Sequence, residues 1–397
     1  MRSPLRTAAA ILCSVAIFIG VPALAEYAAR KRFGPPAPQS ELILDRWAAS
    51  RTNPNYRGKA VQVNAEGFRR DRSVSLDKSP DEVRIFLLGG STAYGDDTLY
   101  PEIDAHWRIS NQQTIDFYLE QRLNSSFPKK RWQVINAGVK GYLLNQDLAL
   151  FLSAARRYKP DYLVLLDGMN DLFVILRTPS PYDGYRDAGF HEEFNALTRP
   201  GDLSLPAMAS VWLLNNSALY RFIHDDARER RRVSARKEKV EKSDAKPGLA
   251  GLTADEQRQY QAAAGQFDDY VHTARQIHRL AGMDGIETLF VLQPQMAVTK
   301  KRLTSIEQQL FDYWRKIDSP LYLYGFQSLY PELSKKMSAG AAEEGYRFLD
   351  LSGVFDRMEE QTFSDYCHLT PVGNRAIADA VFDSLEASFQ ARSVAAQ

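Results

Sequence analysis

Residues that form disulfides or bind metals are scarce in this chain. It has two cysteines and six histidines among 397 residues. Cys13 lies in an apolar N-terminal run and Cys367 lies near the other end, so we expect no internal disulfide. Five histidines show no metal-ligand spacing with cysteine or carboxylate side chains: His106, His191, His224, His272 and His278. The sequence therefore predicts no metal site.

An excess of charge of one sign and a nucleotide-binding motif are also lacking. The chain has 50 Lys and Arg against 49 Asp and Glu, a formal net charge of +1. This balance argues against a protein built around nucleic acid. The glycine pair Gly89 and Gly90 is not followed by the Gly-Lys-Ser/Thr of a P-loop. We therefore expect neither a nucleic-acid partner nor a cofactor.

One long uncharged run lies at the N-terminus. Residues Thr7–Ala25 carry no charge, and basic residues lie on both sides of them. The run is long enough for a single membrane-spanning helix. Its end, Ala23-Leu24-Ala25, also matches the small-x-small site of a cleaved signal peptide. We expect an uncleaved anchor over residues 1–32 with the remainder in the periplasm or outside; the alternative is secretion after signal cleavage.

From residue 81 onward, apolar strand-like runs alternate with helical patterns. Strands are predicted at 83–88, 132–136, 161–167, 286–292 and 346–350. Helices are predicted over 113–125, 145–157, 253–281 and 303–345, and another begins near Pro371. Strands separated by helix-length segments indicate a parallel sheet covered on both faces. The sequence therefore predicts a flavodoxin-like α/β domain of three layers over residues 81–397.

Two segments lie outside this alternation. Residues 33–80 are rich in proline, arginine and polar residues, and they predict a linker and edge segment with a short hairpin around 61–69. Residues 172–252 predict a helical insertion that contains a run of mixed charge over 225–246. We interpret that run as a solvated helix or disordered loop. The alternative is a basic patch for anionic lipid or acidic polysaccharide.

A serine at the end of the first strand of this domain is the most informative residue. The strand runs through Gly89 and Gly90 into Ser91, which places a hydroxyl on a tight turn between small residues. A serine hydroxyl needs a base, usually a histidine oriented by a carboxylate. Asp365 and His368 supply both from one short turn. Cys367 between them is interpreted as a small packed residue rather than a second nucleophile.

Two further strands end in residues that donate hydrogen bonds. Strand 132–136 is followed by Gly138 and Gly141, and strand 161–167 is followed by Asn170. In an open parallel sheet such strand ends gather on one edge, where ligands bind. A glycine N–H group and the Asn170 amide could both donate to an oxyanion there.

In this order, the four segments resemble the conserved blocks of the SGNH (GDSL-type) hydrolase superfamily, and in particular its membrane-anchored bacterial esterases. The resemblance implies that Ser91 is the nucleophile, His368 the base and Asp365 its orienter. It also implies an oxyanion hole formed by the Ser91 and Gly141 N–H groups and the Asn170 amide.

The glycine is chosen by the family pattern. The second block of the family reads Asn-Ala-x-x-x-Gly, and Asn136-Ala137 precede Gly141 at that spacing, with Gly138 as the alternative. The first block departs from Gly-Asp-Ser-Leu, because Gly90 replaces the aspartate and Thr92 replaces the leucine.

The function implied is an exported or membrane-anchored serine esterase that hydrolyses O-acyl esters. An acetyl ester of a surface polysaccharide is the expected substrate class. One alternative is an O-acyltransferase with the same residues, and another is a non-catalytic, membrane-tethered glycan-binding or scaffold protein. A classical α/β-hydrolase elbow fits less well, because it requires glycine where this chain has Ala93.

Overall fold

The computed structural model describes residues 20–32, 41–96, 98–100, 105–177, 204–242 and 251–394. The chain divides into two compact units. The first contains 20–32 and 204–238 of the described residues, and the second contains the rest.

The strands, in chain order, are β1 (Leu42–Asp45), β2 (Ala49–Thr52), β3 (Glu82–Gly89), β4 (Thr98–Tyr100), β5 (Ala105–Trp107), β6 (Arg131–Asn136), β7 (Tyr162–Asp167), β8 (Glu287–Leu292) and β9 (Arg347–Asp350). The helices are α1 (20–32), α2 (Ser91–Tyr94), α3 (Ile115–Ser126), α4 (Leu144–Ser153), α5 (Met169–Arg177), α6 (Leu205–Asn216), α7 (Ala218–Lys242), α8 (Ala254–Ala264), α9 (Phe267–Gly282), α10 (Ser305–Ile317), α11 (Pro320–Glu344) and α12 (Pro371–Val394).

The second unit is built on a five-stranded parallel sheet. Its strand order is β6-β3-β7-β8-β9, and every neighbouring pair is parallel. Counted along the chain, this is the order 2-1-3-4-5 of flavodoxin-like sheets. The prediction of an α/β fold with a central parallel sheet is therefore confirmed. In such a sheet the strand order reverses beside the first strand, so the carboxyl end of β3 lies at the expected ligand-binding crevice.

Helices cover both faces of the sheet because its central strands are largely apolar and buried. All eight residues of β3 are buried, and alternate ones point to opposite faces. Phe86 and Leu88 pack with α4, α5, α9 and α11 on one face. Ile85 and Leu87 pack with α3 and α12 on the other. The domain therefore has a helix–sheet–helix arrangement.

The hairpin expected around residues 61–69 occurs only as an isolated antiparallel bridge between Arg57 and Gln62. No regular strand follows over 63–69, and the antiparallel ladder β1–β2 lies earlier in the chain. The reason is the Asn64 side chain, whose Oδ1 accepts hydrogen bonds from the backbone N–H groups of Glu66 (3.2 Å) and Phe68 (2.8 Å). Such a local side-chain turn competes with a strand ladder.

The hairpin β1–β2 packs against the domain through its backbone. The Ser50 carbonyl accepts a hydrogen bond from the Tyr142 hydroxyl, and the Ala48 carbonyl accepts one from Gln146 Nε2 at 2.9 Å. Tyr142 precedes α4 and Gln146 lies within it. Residues 41–80 therefore belong to the same unit as the sheet.

Two long helical patterns are each divided in the structure. The pattern over 253–281 forms α8 and α9, with the break at Gly265, a poor helix former. A capping box begins α8, since the Glu256 N–H donates to Thr253 Oγ1 at 3.2 Å. The pattern over 303–345 forms α10 and α11, and Pro320 begins the second helix, where its missing N–H is not needed.

In the first unit, α1 packs against the junction of α6 and α7. Glu26 on α1 accepts hydrogen bonds from the N–H groups of Ala218 (2.9 Å) and Leu219 (3.1 Å) at the start of α7. The mixed-charge run is helical as far as Lys242. Among the described residues, no helix has the combined length and apolar character that crossing a membrane requires. Residues 1–19 of the predicted anchor lie outside the described part of the chain.

Candidate active site

A strained glycine turn carries Ser91 out of the sheet. Gly89, the last residue of β3, has φ +132°, which only glycine adopts readily, and a Cβ there would lie 2.2 Å from the Leu166 carbonyl oxygen. Gly90 caps α2 in an extended conformation, and Ser91 is the first residue of this short helix. Gly95 then ends α2 in the left-handed conformation. The hydroxyl of Ser91 is therefore held at the carboxyl edge of the sheet.

The structure brings Ser91, His368 and Asp365 into one hydrogen-bonded chain. His368 Nε2 lies 2.8 Å from Ser91 Oγ, and His368 Nδ1 lies 2.6 Å from Asp365 Oδ2. The other carboxylate oxygen of Asp365 accepts the backbone N–H groups of Cys367 (2.8 Å) and His368 (2.6 Å). The short turn 365–368 thereby orients both the carboxylate and the imidazole ring.

The electrostatics of the pair follow from burial and mutual charge. Burial favours the neutral acid of Asp365, but the charge of His368 and hydrogen bonds from His368 and Cys367 bring the net pKa of Asp365 below its ordinary value. Burial likewise disfavours a charged imidazole, yet the Asp365 carboxylate raises the pKa of His368 well above its ordinary value. The pair thus stabilises a positive charge on the ring, the state that follows proton transfer from serine.

Asn170 lies against the turn formed by residues 89–91, which we call the nucleophile turn because Ser91 is the candidate nucleophile. Its Nδ2 donates to the Tyr142 carbonyl oxygen at 2.9 Å. A Cβ added to Gly90 would lie 2.3 Å from the same nitrogen. The missing side chain at position 90 therefore leaves the space that the Asn170 amide occupies beside Ser91.

The two candidate glycines of the second block have different surroundings. The Gly138 N–H donates to Asn136 Oδ1 at 3.1 Å, and a Cβ on Gly138 would lie 2.5 Å from the Tyr94 backbone nitrogen. The absence of a side chain at Gly138 therefore allows its backbone to pack closely against α2. Gly141 has φ +79° on the exposed loop that leads to Tyr142, and among the described residues no atom lies within 4 Å of an added Cβ. This openness makes Gly141 the better candidate donor.

Thr92 links helix α2, which begins with Ser91, to the turn that carries His368. Its hydroxyl donates to the Cys367 carbonyl at 3.3 Å and accepts from Gln293 Nε2 at 3.1 Å. The Gln293 carbonyl in turn accepts from the Tyr330 hydroxyl at 2.9 Å. Sequence reasoning gave no role to Gln293, although its place directly after strand β8 was an available signal.

A buried ion pair holds the segment just before Asp365 in place. Glu307 and Lys301 are wholly buried, and their charged groups lie 2.9 Å apart. Glu307 also accepts the backbone N–H groups of Thr362 (2.9 Å) and Phe363 (3.1 Å). Glu307 therefore holds the start of the loop that carries Asp365. The sequence assigned no role to Glu307, so this contact was missed.

Arg69 fastens the other side of α2. Its guanidinium is buried and donates to the carbonyl oxygens of Tyr94 (2.9 Å), Gly95 (2.6 Å) and Ile109. These include the orphan carbonyls at the end of a helix, which need donors. Arg69, from the segment that precedes β3, thus supports the end of the helix that begins with Ser91.

One set of three potential metal ligands occurs among the described residues, and it lies in the turn 365–368. The ligand atoms of Asp365, Cys367 and His368 lie within 4.8 Å of one another. Burial raises the pKa of the Cys367 thiol to about 11, which disfavours the thiolate that a metal requires. The Asp365 and His368 atoms are already hydrogen-bonded to each other. These groups fit a proton-transfer chain better than a metal site.

The parallel sheet and the Ser–His–Asp chain define the class as a serine hydrolase. Residues 87–376 match the model of the GDSL-like Lipase/Acylhydrolase family, and the chain belongs to that family. It is a serine hydrolase that acts on ester bonds. This agrees with the SGNH resemblance expected from the sequence.

Comparison with solved structures finds distant similarity. One is an alpha/beta hydrolase enzyme from the metagenome of Lake Arreo, Spain, with 14% identity and a TM-score of 0.37, covering 77% of this chain and 95% of that one. Another is an acetylxylan esterase from Geobacillus stearothermophilus, with 12% identity and a TM-score of 0.37, covering 76% and 94%. An acetyl xylan esterase has 12% identity and a TM-score of 0.38, covering 76% and 100%. Comparison with curated proteins finds no match.

Proposed function

We propose that this protein hydrolyses O-acyl esters through a covalent acyl-enzyme formed on Ser91. The observation that carries the proposal is the hydrogen-bonded chain from Ser91 through His368 to Asp365, with links of 2.8 Å and 2.6 Å. These distances lie within the reach that proton transfer from a serine hydroxyl needs.

In the first half-reaction, Ser91 Oγ attacks the ester carbonyl carbon while His368 Nε2 takes the hydroxyl proton. Asp365 stabilises the imidazolium that forms. The carbonyl oxygen becomes an oxyanion, and the Asn170 amide with the N–H groups of Ser91 and Gly141 binds it. As the intermediate collapses, His368 returns the proton to the departing alkoxide, which leaves an acyl-serine and an alcohol.

In the second half-reaction, His368 takes a proton from a water molecule that attacks the acyl-serine. The same donors bind the second oxyanion, and the carboxylic acid leaves as Ser91 regains its proton. The acceptor decides between hydrolysis and transfer. Release of free acid indicates an esterase, whereas an acylated sugar would indicate an O-acyltransferase.

A fluorophosphonate probe and a series of p-nitrophenyl esters test the proposal. Wild-type protein should be labelled covalently and should release p-nitrophenol, and Ser91→Ala should do neither. Ser338→Ala is a matched control, because Ser338 is an exposed serine on α11 whose hydroxyl donates only to the backbone of its own helix. Normal turnover by folded Ser91→Ala would disprove the serine mechanism.

We further propose that the enzyme is exported and acts on small acyl groups, such as acetyl, of a surface polysaccharide. The support for export is the uncharged run Thr7–Ala25 between basic flanks. The ester chemistry is that of the family to which the chain belongs. An anchored protein should remain in the membrane fraction after an alkaline wash. A mature soluble form that begins at Glu26 would indicate signal cleavage instead. Acetate release from acetylated polysaccharide, compared with longer-chain esters, tests the substrate class.

A further inference from the structure

Three buried aspartates lie together behind the candidate active site and have no part in the chemistry described above. Asp147 lies on α4, Asp167 ends β7, and Asp171 lies in the first turn of α5. Their exposed fractions are 0%, 3% and 0%. We call these residues the aspartate cluster. Because buried carboxyl groups carry a large desolvation cost, their contacts require an explanation.

Asp147 holds the nucleophile turn. Its Oδ1 accepts the backbone N–H of Gly89 at 3.1 Å, at the residue whose φ is +132°. Ser91 follows two residues later. The Gly89 carbonyl accepts the Val139 N–H at 2.9 Å, so the same residue joins the turn to the loop that contains Gly141.

Asp171 holds the other end of that loop. Its Oδ1 accepts the N–H of Leu144, the first residue of α4, at 3.0 Å. The neighbouring Asn170 side chain donates to the Tyr142 carbonyl at 2.9 Å. Residues 170 and 171 thus contact the loop that follows Gly141 at two points, one from the candidate oxyanion donor and one from the aspartate cluster.

Asp167 interacts electrostatically with both other members of the cluster. Burial and the charges of Asp147 and Asp171 raise the pKa of Asp167 well above its ordinary value. Burial and the Asp171 charge raise the pKa of Asp147 to about 7, against a lowering by the hydrogen bond from Asp167. Asp167 therefore favours its neutral, protonated form, which can donate to the Asp147 carboxylate. Such a bond would link the acceptor of the Gly89 N–H to the end of strand β7.

We propose that the aspartate cluster positions the oxyanion donors relative to Ser91. The inference rests on the proposed function. The donors come from three separate segments, which follow β3, β6 and β7. Asp147 binds the first segment, Asp171 binds the second and belongs to the third, and Asp167 ends β7 immediately before the third. A displacement of about 1 Å at an active site can lower turnover about 100-fold. Hydrogen bonds that hold the donor segments in place should therefore affect the rate directly.

A purely stabilising role explains the cluster less well. Replacing buried ionic or polar groups with packed apolar side chains is often neutral or favourable for stability. Directional hydrogen bonds, in contrast, fix the backbone amides to which they are made, and in a dry interior they are strong. The aspartate cluster makes such bonds to two of the donor segments, and it makes them to backbone N–H groups.

The test compares two substitutions of one residue. Asp147→Asn keeps an oxygen acceptor for the Gly89 N–H and an amide that can bond to Asp167, whereas Asp147→Leu keeps neither. We expect Asp147→Leu to lower kcat about 10- to 100-fold with KM nearly unchanged, and Asp147→Asn to retain at least about a third of wild-type kcat. The pH midpoint of kcat should not move in either variant, because neither touches His368.

A second measurement separates positioning from instability. If Asp147→Leu and Asn170→Ala both act through the oxyanion donors, the double variant should lose less than the product of the two single losses. Thr288→Val is the matched control, since Thr288 is 3% exposed and bonded to His278 at 2.8 Å, on β8. It should lower the melting temperature without lowering kcat.

Two outcomes would overturn the proposal. Folded Asp147→Leu could retain wild-type kcat, or Asp147→Asn could lose as much as Asp147→Leu. Should Asp147→Leu fail to fold, Asp171→Asn and Asp171→Leu provide the same comparison at the Leu144 N–H. Full turnover in Ser91→Ala would instead refute the proposed function, so the two failures are distinguishable.

Discussion

The side-chain nitrogen of Asn170 lies 2.3 Å from the position that a Cβ atom on Gly90 would take. We therefore predict that Gly90→Ala displaces the Asn170 amide and removes one oxyanion donor. Loss of one such donor typically lowers kcat about 100- to 1000-fold. Steady-state kinetics of the variant on a p-nitrophenyl ester measures the loss. Gly282→Ala is the control, because among the described residues no atom lies within 4 Å of its added Cβ. Equal kcat in wild type and Gly90→Ala would contradict the role of this contact.

A second prediction concerns the pH dependence of turnover. The Asp365 carboxylate raises the pKa of His368 well above its ordinary value of 6.5. A protonated ring cannot accept the Ser91 proton, so kcat should rise with pH through a midpoint above 6.5. The 2.6 Å contact between His368 Nδ1 and Asp365 Oδ2 is the geometric basis of this shift.

The variant Asp365→Asn tests the cause of this shift. Without the carboxylate charge, the pKa of His368 should fall, so the midpoint of the kcat profile moves to lower pH. The plateau should also fall, because the ring loses its orienting acceptor. Profiles of the two proteins with identical midpoints would show that Asp365 does not act on His368.

The sequence was sufficient to predict the fold because its signals are local. The strand at 83–88 is apolar at every position except Arg84, and the glycines after it mark a turn. The order of such strands along the chain then restricts the sheet to few topologies. The pairing of Asp365 with His368 could also be predicted from the sequence, since residues three positions apart lie in one turn of the chain.

The contacts that support the candidate active site could not be predicted from the sequence, because they join residues far apart along the chain. Asp147 and Gly89 are 58 positions apart, and Glu307 and Thr362 are 55 apart. A lone aspartate in a helical pattern is usually a solvated residue. Its burial is decided by the packing of α4 on the sheet, which no periodicity shows.

A third prediction concerns the buried pair Lys301–Glu307. Removing one partner leaves an uncompensated buried charge, so Glu307→Leu should destabilise the protein by about 3–5 kcal/mol. It also removes the acceptor of the Thr362 and Phe363 N–H groups, so turnover at a temperature where the variant is folded should fall. Urea unfolding and kcat measure the two effects. The double variant Lys301→Met with Glu307→Leu should regain stability but not turnover, and recovery of both would refute the fastening role.

The last prediction concerns the stability of the protein at alkaline pH. The folded-state pKa values of Asp147 and Asp167 are raised above the ordinary 3.8, to about 7 for Asp147. The folded state therefore holds protons that the unfolded chain has released, and this contribution to stability falls as pH rises from about 4 through the raised pKa values. The buried tyrosines Tyr270 and Tyr330 also interact electrostatically with the aspartate cluster. Burial raises the pKa of both hydroxyls well above the ordinary value, so both stay neutral over this pH range.

The variant Asp167→Asn removes one of these ionisations and keeps a donor to Asp147. Its free energy of unfolding should decline less than that of the wild type between mildly acidic and alkaline pH. Equal declines in the two proteins would show that Asp167 does not hold a proton in the folded state.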